Sequence, residues 1–119
     1  MKRLVRISAG LAVLGSMFAT SALAQQPAAF AACGACHSLD GSKGLGPSLK
    51  GAFGRKAGTA GGFTFSPAMR KAGMTWDEKS LDAFLADPQK TVPGNTMPFP
   101  GVPDAKQRLE IVQYLKTVK

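Results

Sequence analysis

Apolar side chains recur at helical spacing in several stretches of the chain, and no stretch alternates apolar and polar residues as a strand does. Three main helices are predicted, over residues 27–37, residues 75–86 and residues 104–119. No internal repeat is visible. The apolar positions of these helices, in chain order, are Phe30; Leu81, Phe84 and Leu85; and Leu109, Ile111, Val112, Tyr114 and Leu115.

Capping signals set the predicted bounds of these helices. Pro27 opens the first, because proline is tolerated in the first turn. Thr75 is predicted as the N-cap of the second helix, with Glu78 at the capping-box position and Pro88 ending the element. Asp104 is predicted to cap the last helix, which runs to the end of the chain.

The segments between these helices carry turn residues. Residues 38–68 are rich in glycine, proline and serine, which predicts a loop. A loop of this length is unusual in a compact domain unless it serves a function, such as wrapping a cofactor. A short helix is predicted around residues 67–71. Residues 88–103 contain five prolines and predict a stiff, non-helical segment.

The first 24 residues have the pattern of a secretory signal. A basic start precedes an apolar stretch over residues 9–19, and Ala22-Leu23-Ala24 matches a cleavage site, so cleavage is expected before Gln25. The alternative is an uncleaved membrane anchor, but the apolar stretch is short against the roughly 20 residues that a span needs. Residues 1–24 are therefore predicted to be a signal peptide, and residues 25–119 the mature domain, exported to the periplasm in a bacterium.

Charge and size limit what the mature domain does. The chain has 15 Lys and Arg and 7 Asp and Glu. Three of the basic residues lie in the signal, which leaves 12 basic and 7 acidic residues, a formal charge of +5. No block of charge indicates a nucleic-acid partner. A domain this small buries a modest core, so a bound apolar group would help to stabilise it.

The motif C-x-x-C-H at Cys33, Cys36 and His37 is the attachment pattern for c-type haem. At the end of a helix the two sulfurs share one face and reach the two vinyl groups of one porphyrin, and the next residue supplies an imidazole to the iron. A thioredoxin-like pair needs a βαβ context, and a zinc site needs about four ligands. A structural disulfide would close too small a loop to constrain the unfolded chain much. The motif thus favours one covalent haem c.

The other axial ligand has to come from a methionine, because the chain has no second histidine. The candidates in the mature part are Met69, Met74 and Met97. Met97 lies between prolines that restrict its loop, and a restrained loop holds a thioether at a fixed point. Methionine also fills irregular space in cores, and we assign that role to Met69 and Met74.

From Phe30 to its end the sequence resembles class I c-type cytochromes, of the mitochondrial cytochrome c and bacterial cytochrome c2 type. The resemblance implies an all-α fold, a single cytochrome c domain in which the N- and C-terminal helices pack together and loops and short helices wrap one covalent haem. It also implies a low-spin, six-coordinate iron and one-electron transfer. The matching segments occur in family order and are residues 33–37, 46–49, 51–56, 62–65, 73–76, 81–88, 93–97 and 114–116.

The resemblance also implies roles for individual residues. Cys33 and Cys36 would form the thioethers, and His37 and Met97 would bind the iron. The carbonyl of Pro47 would accept the imidazole N–H. Arg55 and Trp76 would hydrogen-bond a buried propionate, because a propionate inside the domain needs donors. Phe30, Tyr114 and Leu115 would form the contact between the terminal helices.

Several positions depart from the family pattern. Phe65 and Phe84 replace tyrosines near the haem, and Met69 replaces an asparagine. Asn95 replaces a threonine and keeps a polar side chain, so it is included among the cofactor-binding residues. Lysines that surround the haem edge in strongly basic members are replaced by Gln89, Thr96, Pro103 and Asp104, while Lys90 remains.

The sequence therefore predicts a soluble, monomeric, periplasmic electron carrier rather than an enzyme. Its expected partners are redox proteins: a membrane cytochrome complex, an oxidase or a reaction centre. Electrons would leave near the thioethers, beside Pro98 and Phe99. Two alternatives remain: a five-coordinate haem enzyme or sensor, if Met97 does not bind the iron, and a fixed subunit of a larger oxidoreductase.

Overall fold

The computed structural model describes Gly15 and residues 25–119; the predicted signal peptide otherwise lies outside the described residues. A 3₁₀ turn, Ala28–Phe30, leads into helix α1, Ala31–Gly34. Helices α2 (Pro67–Lys71), α3 (Glu78–Ala86), α4 (Pro88–Thr91) and α5 (Ala105–Leu115) follow. Within residues 25–119 the only strand-like pairing is an isolated bridge between Lys56 and Thr75. The all-α, single-domain prediction is confirmed for this part of the chain.

The first helix is shorter than the predicted range of 27–37. It ends at Gly34, and in the turn that follows the carbonyl of Cys33 accepts from both Cys36 N–H (3.1 Å) and His37 N–H (2.9 Å). A carbonyl shared in this way is common at helix ends. The helix therefore stops about one turn earlier than predicted, three residues before His37.

Helix α3 begins at Glu78, and its N-cap lies two residues later than predicted. Its N-cap is Asp77, whose carboxylate accepts from Ser80 N–H at 2.8 Å, while Ser80 Oγ accepts from Asp77 N–H at 2.9 Å. The prediction of Thr75 as N-cap, with Glu78 in the capping box, was wrong. Thr75 is instead held in the bridge to Lys56.

The proline-rich segment contains a helix that the sequence did not predict. Pro88 occupies the first turn of α4, where the missing N–H costs nothing. The carboxylate of Asp87 caps α4 by accepting from Lys90 N–H at 3.1 Å. The non-helical prediction for residues 88–103 was therefore wrong for Pro88–Thr91, and no helix follows over residues 92–103.

Helix α5 begins where predicted, since Asp104 accepts from Gln107 N–H at 2.8 Å. It ends at Leu115 rather than near Lys119. Beyond it, Val118 contributes a carbonyl to Gly51 N–H at 2.9 Å, which ties the chain end to the long loop. Leu109 is 55% exposed, so the predicted apolar face is smaller than expected.

The core lies where the N-terminal turn crosses α5 and α3. Phe30 packs edge-on against Tyr114, with ring centroids 5.1 Å apart. Ion pairs join α3 to α5, between Asp82 and Arg108 (2.7 Å) and between Glu78 and Lys116. The predicted contact between terminal helices is confirmed. The buried apolar members of this core are Phe30, Leu81, Leu85, Val102, Ile111, Val112 and Leu115.

The backbone of the long loop between α1 and α2 is hydrogen-bonded to the segment that follows α1 and to the segment that precedes α3. Gly46 N–H donates to the carbonyl of Cys36 (2.9 Å), and Gly54 N–H donates to that of Trp76 (2.7 Å). The segment has no helix, as predicted, and it forms one wall of a large cavity. No helix in the described part of the chain is long and apolar enough to cross a membrane.

Candidate haem site

The cavity lies between the end of α1, the long loop, α3 and the segment that follows α4. Its volume is about 480 Å³, within the range of cofactor and ligand pockets. Most of its lining is apolar. All residues that the sequence predicts to bind the cofactor line it: Cys33, Cys36, His37, Pro47, Arg55, Trp76, Asn95 and Met97.

Cys33 lies in the last turn of α1, and Cys36 lies three residues further on, in the turn that follows the helix. Both are half-buried, and they are not joined to each other. Burial raises the pKa of the Cys33 thiol above its ordinary value. Positions i and i+3 share a helix face, so both sulfurs are presented to the same cavity.

The imidazole of His37 is oriented by the loop opposite. Its Nδ1 lies 2.7 Å from the carbonyl oxygen of Pro47. A carbonyl only accepts, so Nδ1 carries the proton and Nε2 keeps a free lone pair for a metal. This is the contact with Pro47 that the family resemblance implied.

Gly46 lies beside the same ring and leaves space for it, a role that sequence analysis missed. A Cβ atom added at Gly46 would lie 2.6 Å from His37 Cε1. Only glycine therefore fits beside the ring. The signal in the sequence was a glycine directly before Pro47, whose carbonyl accepts a hydrogen bond from the imidazole.

The guanidinium of Arg55 lies at the cavity wall, and one of its nitrogens, Nε, has no partner there. Its terminal nitrogens donate to the carbonyls of Lys50 (3.0 Å) and Ser48 (3.3 Å). Its Nε is buried and has no hydrogen-bond partner among the described residues. Burial lowers the pKa of Arg55, and a buried cationic donor without a partner is costly. An anionic group in the cavity, such as a propionate, would satisfy it.

Trp76 lies next to Arg55 on the same wall. Its backbone N–H donates to the carbonyl of Arg55 at 2.9 Å, and its ring packs on Phe84 with centroids 5.0 Å apart. Phe65 and Met69, which replace polar residues of the family pattern, also line the cavity. The interior is therefore short of hydroxyl groups.

Met97 and Met69 line the cavity, and Met74 does not. Met97 is half-buried, and its backbone N–H donates to Asn95 Oδ1 at 3.0 Å. Asn95 is only 6% exposed, and its amide makes all of its hydrogen bonds to backbone groups of its own segment and α4. Asn95 lines the cavity, and its contacts support the loop that carries Met97.

The chemistry of this lining fits a covalently held haem. Two thiols, an imidazole with a free nitrogen and a thioether meet at one apolar cavity, which also contains an unpartnered buried cationic donor. Together with the helical fold, these features define the class of small c-type cytochromes. The cytochrome c family model matches residues 22–119. The chain belongs to this family; it carries one covalent haem c and is an electron carrier.

Relatives and a solved structure agree with this placement. Cytochrome c2 iso-2 of Magnetospirillum molischianum is 50% identical over 97 residues, which are 81% of this chain and 100% of the relative. Cytochrome c2 of Rhodoblastus acidophilus is 47% identical over 92 residues, which are 76% of this chain and 86% of the relative. Cytochrome cH from Methylobacterium extorquens has a structure that matches with a TM-score of 0.73 at 52% identity, covering 75% of this chain and 91% of that one.

Proposed function

We propose that the protein is a soluble periplasmic carrier that transfers single electrons through a haem held by Cys33 and Cys36 and ligated by His37 and Met97. The observation that carries the proposal is the meeting of these four side chains at one apolar cavity, with His37 Nδ1 bonded to Pro47. The bound haem supplies an iron that alternates between the ferric and ferrous states. Imidazole and thioether ligation together favour the ferrous state and raise the potential.

The surrounding residues hold and insulate the haem. The Pro47 carbonyl keeps the imidazole in one tautomer and increases its basicity as a ligand. Arg55 would offer its unpartnered Nε–H to a propionate, and Trp76 lies beside it, with its backbone N–H bonded to the Arg55 carbonyl. The apolar wall that includes Phe84 would keep water away from a bound haem, so little solvent would have to reorganise during electron transfer.

The protein is proposed to act without catalysing a reaction of its own. With His37 and Met97 both bound, the iron has no open position for a substrate. A five-coordinate haem enzyme or sensor would need Met97 to be absent from the iron. Carbon monoxide binds the ferrous iron only when an axial position is open, so it separates the two functions.

Export and partners complete the proposal. Residues 1–24 direct export and are removed before Gln25, which leaves a monomer without stable membrane insertion. It would dock to a membrane cytochrome complex, an oxidase or a reaction centre through the apolar rim around Pro98, Phe99 and Pro100. Of these, Pro98 and Pro100 are exposed in the structure. A fixed subunit of a larger oxidoreductase would instead elute with that complex on size-exclusion of a native extract.

The axial assignment is tested by replacing each methionine separately. We expect Met97→Ala to abolish the weak near-infrared sulfur-to-iron band and to let carbon monoxide bind the ferrous protein at neutral pH. Met69→Ala and Met74→Ala, which remove a thioether of the same size, should leave both properties unchanged. Loss of the band in Met69→Ala but not in Met97→Ala would show that the assignment is wrong.

A further inference from the structure

The segment that carries Met97 is fastened to helix α4 by the side chain of Gln89. Gln89 Nε2 donates to the carbonyl of Asn95 at 2.8 Å. Gly94 N–H donates to Gln89 Oε1 at 3.3 Å. Both ends of one amide thus bond to the backbone two and three residues before Met97, which fixes the distance between this segment and α4.

Asn95 fastens the same segment from inside. Asn95 Nδ2 donates to the carbonyls of Pro88 (2.8 Å) and Val92 (2.9 Å), and Asn95 Oδ1 accepts from Met97 N–H (3.0 Å). Both donors of the amide are used, and the side chain is 6% exposed. A buried amide that loses its partners costs more free energy than a hydrogen bond contributes on average, so these contacts oppose movement of the segment away from α4.

These contacts matter because Met97 has to move before any other ligand can reach the iron. The backbone N–H of Met97 is tied to Asn95, and Asn95 is tied in turn to Gln89 and α4. Prolines at positions 93 and 98 limit the ways in which the chain between them can bend. Withdrawal of the Met97 backbone from the cavity therefore requires these amide contacts to open.

We propose that Gln89 and Asn95 are positioning residues that hold the Met97 sulfur in place and set the rate at which it yields to an external ligand. The proposal rests on the axial role proposed for Met97. Under this proposal Gln89 supports the Met97 segment, at a position where the family resemblance leads one to expect a lysine used in docking.

Imidazole binding to the ferric holoprotein, followed by stopped-flow absorbance, tests the proposal. In Gln89→Glu a carboxylate faces the carbonyl of Asn95, so a donor becomes a repelling acceptor. We expect imidazole to bind about tenfold faster, equivalent to about 1.4 kcal/mol. Asn95→Asp keeps the acceptor for Met97 N–H and loses both donors, so its effect should be larger. The near-infrared band should survive in both, because the sulfur still binds.

Gln107→Glu is the matched control. Gln107 is exposed, lies outside the cavity and makes no side-chain hydrogen bond within residues 25–119. Gln107→Glu makes the same chemical change as Gln89→Glu. The haem of this variant should bind imidazole at the same rate as in the unmodified protein. Hydrogen exchange of the Met97 amide gives a second readout: it should accelerate in Gln89→Glu and not in Gln107→Glu.

The outcomes separate this inference from the axial assignment. If Met97→Ala keeps the near-infrared band, the assignment itself fails. If Met97→Ala loses the band but Gln89→Glu binds imidazole no faster than Gln107→Glu, the positioning role is overturned. Gln89 is exposed, so this variant decides the question even if Asn95→Asp does not fold.

Discussion

The orientation of one imidazole depends on two adjacent residues that have little chemistry of their own. Pro47 supplies a carbonyl oxygen 2.7 Å from His37 Nδ1, and Gly46 leaves room for the ring by having no side chain. The backbone of Gly46 has no freedom to move away, because its N–H donates to Cys36 O (2.9 Å) and its carbonyl accepts from Gly44 N–H (3.1 Å). The ring is therefore held at a fixed angle.

Replacing Gly46 by alanine should displace the imidazole. The new Cβ would lie 2.6 Å from His37 Cε1, so the ring has to tilt and its bond to Pro47 has to lengthen. We expect Gly46→Ala to lower the free energy of unfolding by about 1–3 kcal/mol, the usual cost of overpacking. Urea unfolding of the holoprotein measures it.

Gly61→Ala is the control, since nothing lies within 4 Å of a Cβ at Gly61 and its φ is not positive. It should be neutral or slightly stabilising, because alanine restricts the unfolded chain more than glycine does. Equal unfolding midpoints for Gly46→Ala and Gly61→Ala would refute the packing argument.

The residues that the sequence predicts to bind the cofactor line one cavity, but several of their contacts were not predicted. The motif at Cys33, Cys36 and His37 identifies itself by spacing. The supporting role of Asn95 could not be foreseen, because its partners are carbonyls of Pro88 and Val92 that α4 brings within reach. The prolines of residues 88–103 favoured a non-helical segment. The prediction therefore did not include α4, which brings these carbonyls close to Asn95.

At the scale of elements, competition between capping residues decided where α3 starts. Thr75, Asp77 and Ser80 are all able to cap a helix, and spacing alone favoured Thr75 with Glu78. The bridge between Thr75 and Lys56 holds Thr75 in the loop, and Ser80 Oγ donates to its carbonyl at 2.7 Å. This long-range pairing is invisible to a local pattern.

The cap of α3 makes the stability depend on pH. Hydrogen bonds from the backbone and side chain of Ser80 lower the pKa of Asp77 below its ordinary value of 3.8. Since the folded-state pKa is depressed, the stabilisation is present above the unfolded value and is lost as the pH falls through the folded one. Asp77→Asn keeps a capping oxygen but no charge at the helix N-terminus.

We therefore expect Asp77→Asn to unfold more easily than the unmodified protein at neutral pH and equally easily in strong acid. Asp77→Ala removes the capping oxygen and should unfold more easily at every pH. The urea midpoints of both variants and of the unmodified protein are measured over a pH series. The effects of the other carboxyl groups cancel in the comparison, because all three proteins share them. A difference between Asp77→Asn and the unmodified protein that stays constant across the series would contradict the assignment.

At the scale of the whole molecule, the surface around the cavity combines apolar residues with few positive charges. Leu45 lines the cavity and is 84% exposed, and Pro98 and Pro100 are exposed nearby in the chain. Gln89 and Thr96 stand where the family resemblance leads one to expect lysines. Docking should therefore depend more on apolar contact and less on long-range attraction.

This surface predicts a weak salt dependence of electron transfer. Attraction between exposed charges is screened beyond about 8 Å at physiological ionic strength, and steered association slows as salt rises. With fewer lysines at the rim, the second-order rate constant should fall less steeply with salt than for a lysine-rich family member. Stopped-flow electron transfer to an oxidase with an acidic docking patch, across a salt series, measures the slope.

Restoring one lysine at the rim separates local charge from net charge. Thr96 is exposed, lines the cavity and makes no side-chain hydrogen bond among the described residues, so Thr96→Lys adds a charge where docking is proposed. Gln107→Lys adds the same charge on α5, outside the cavity lining. We expect Thr96→Lys to steepen the salt slope and Gln107→Lys to change it little, because steering acts through charges that approach the partner closely. Equal salt slopes of the rate constant for the two variants would show that docking takes place elsewhere on the surface. If the rate constant of the unmodified protein fell with salt as steeply as that of a lysine-rich relative, the missing lysines would not matter.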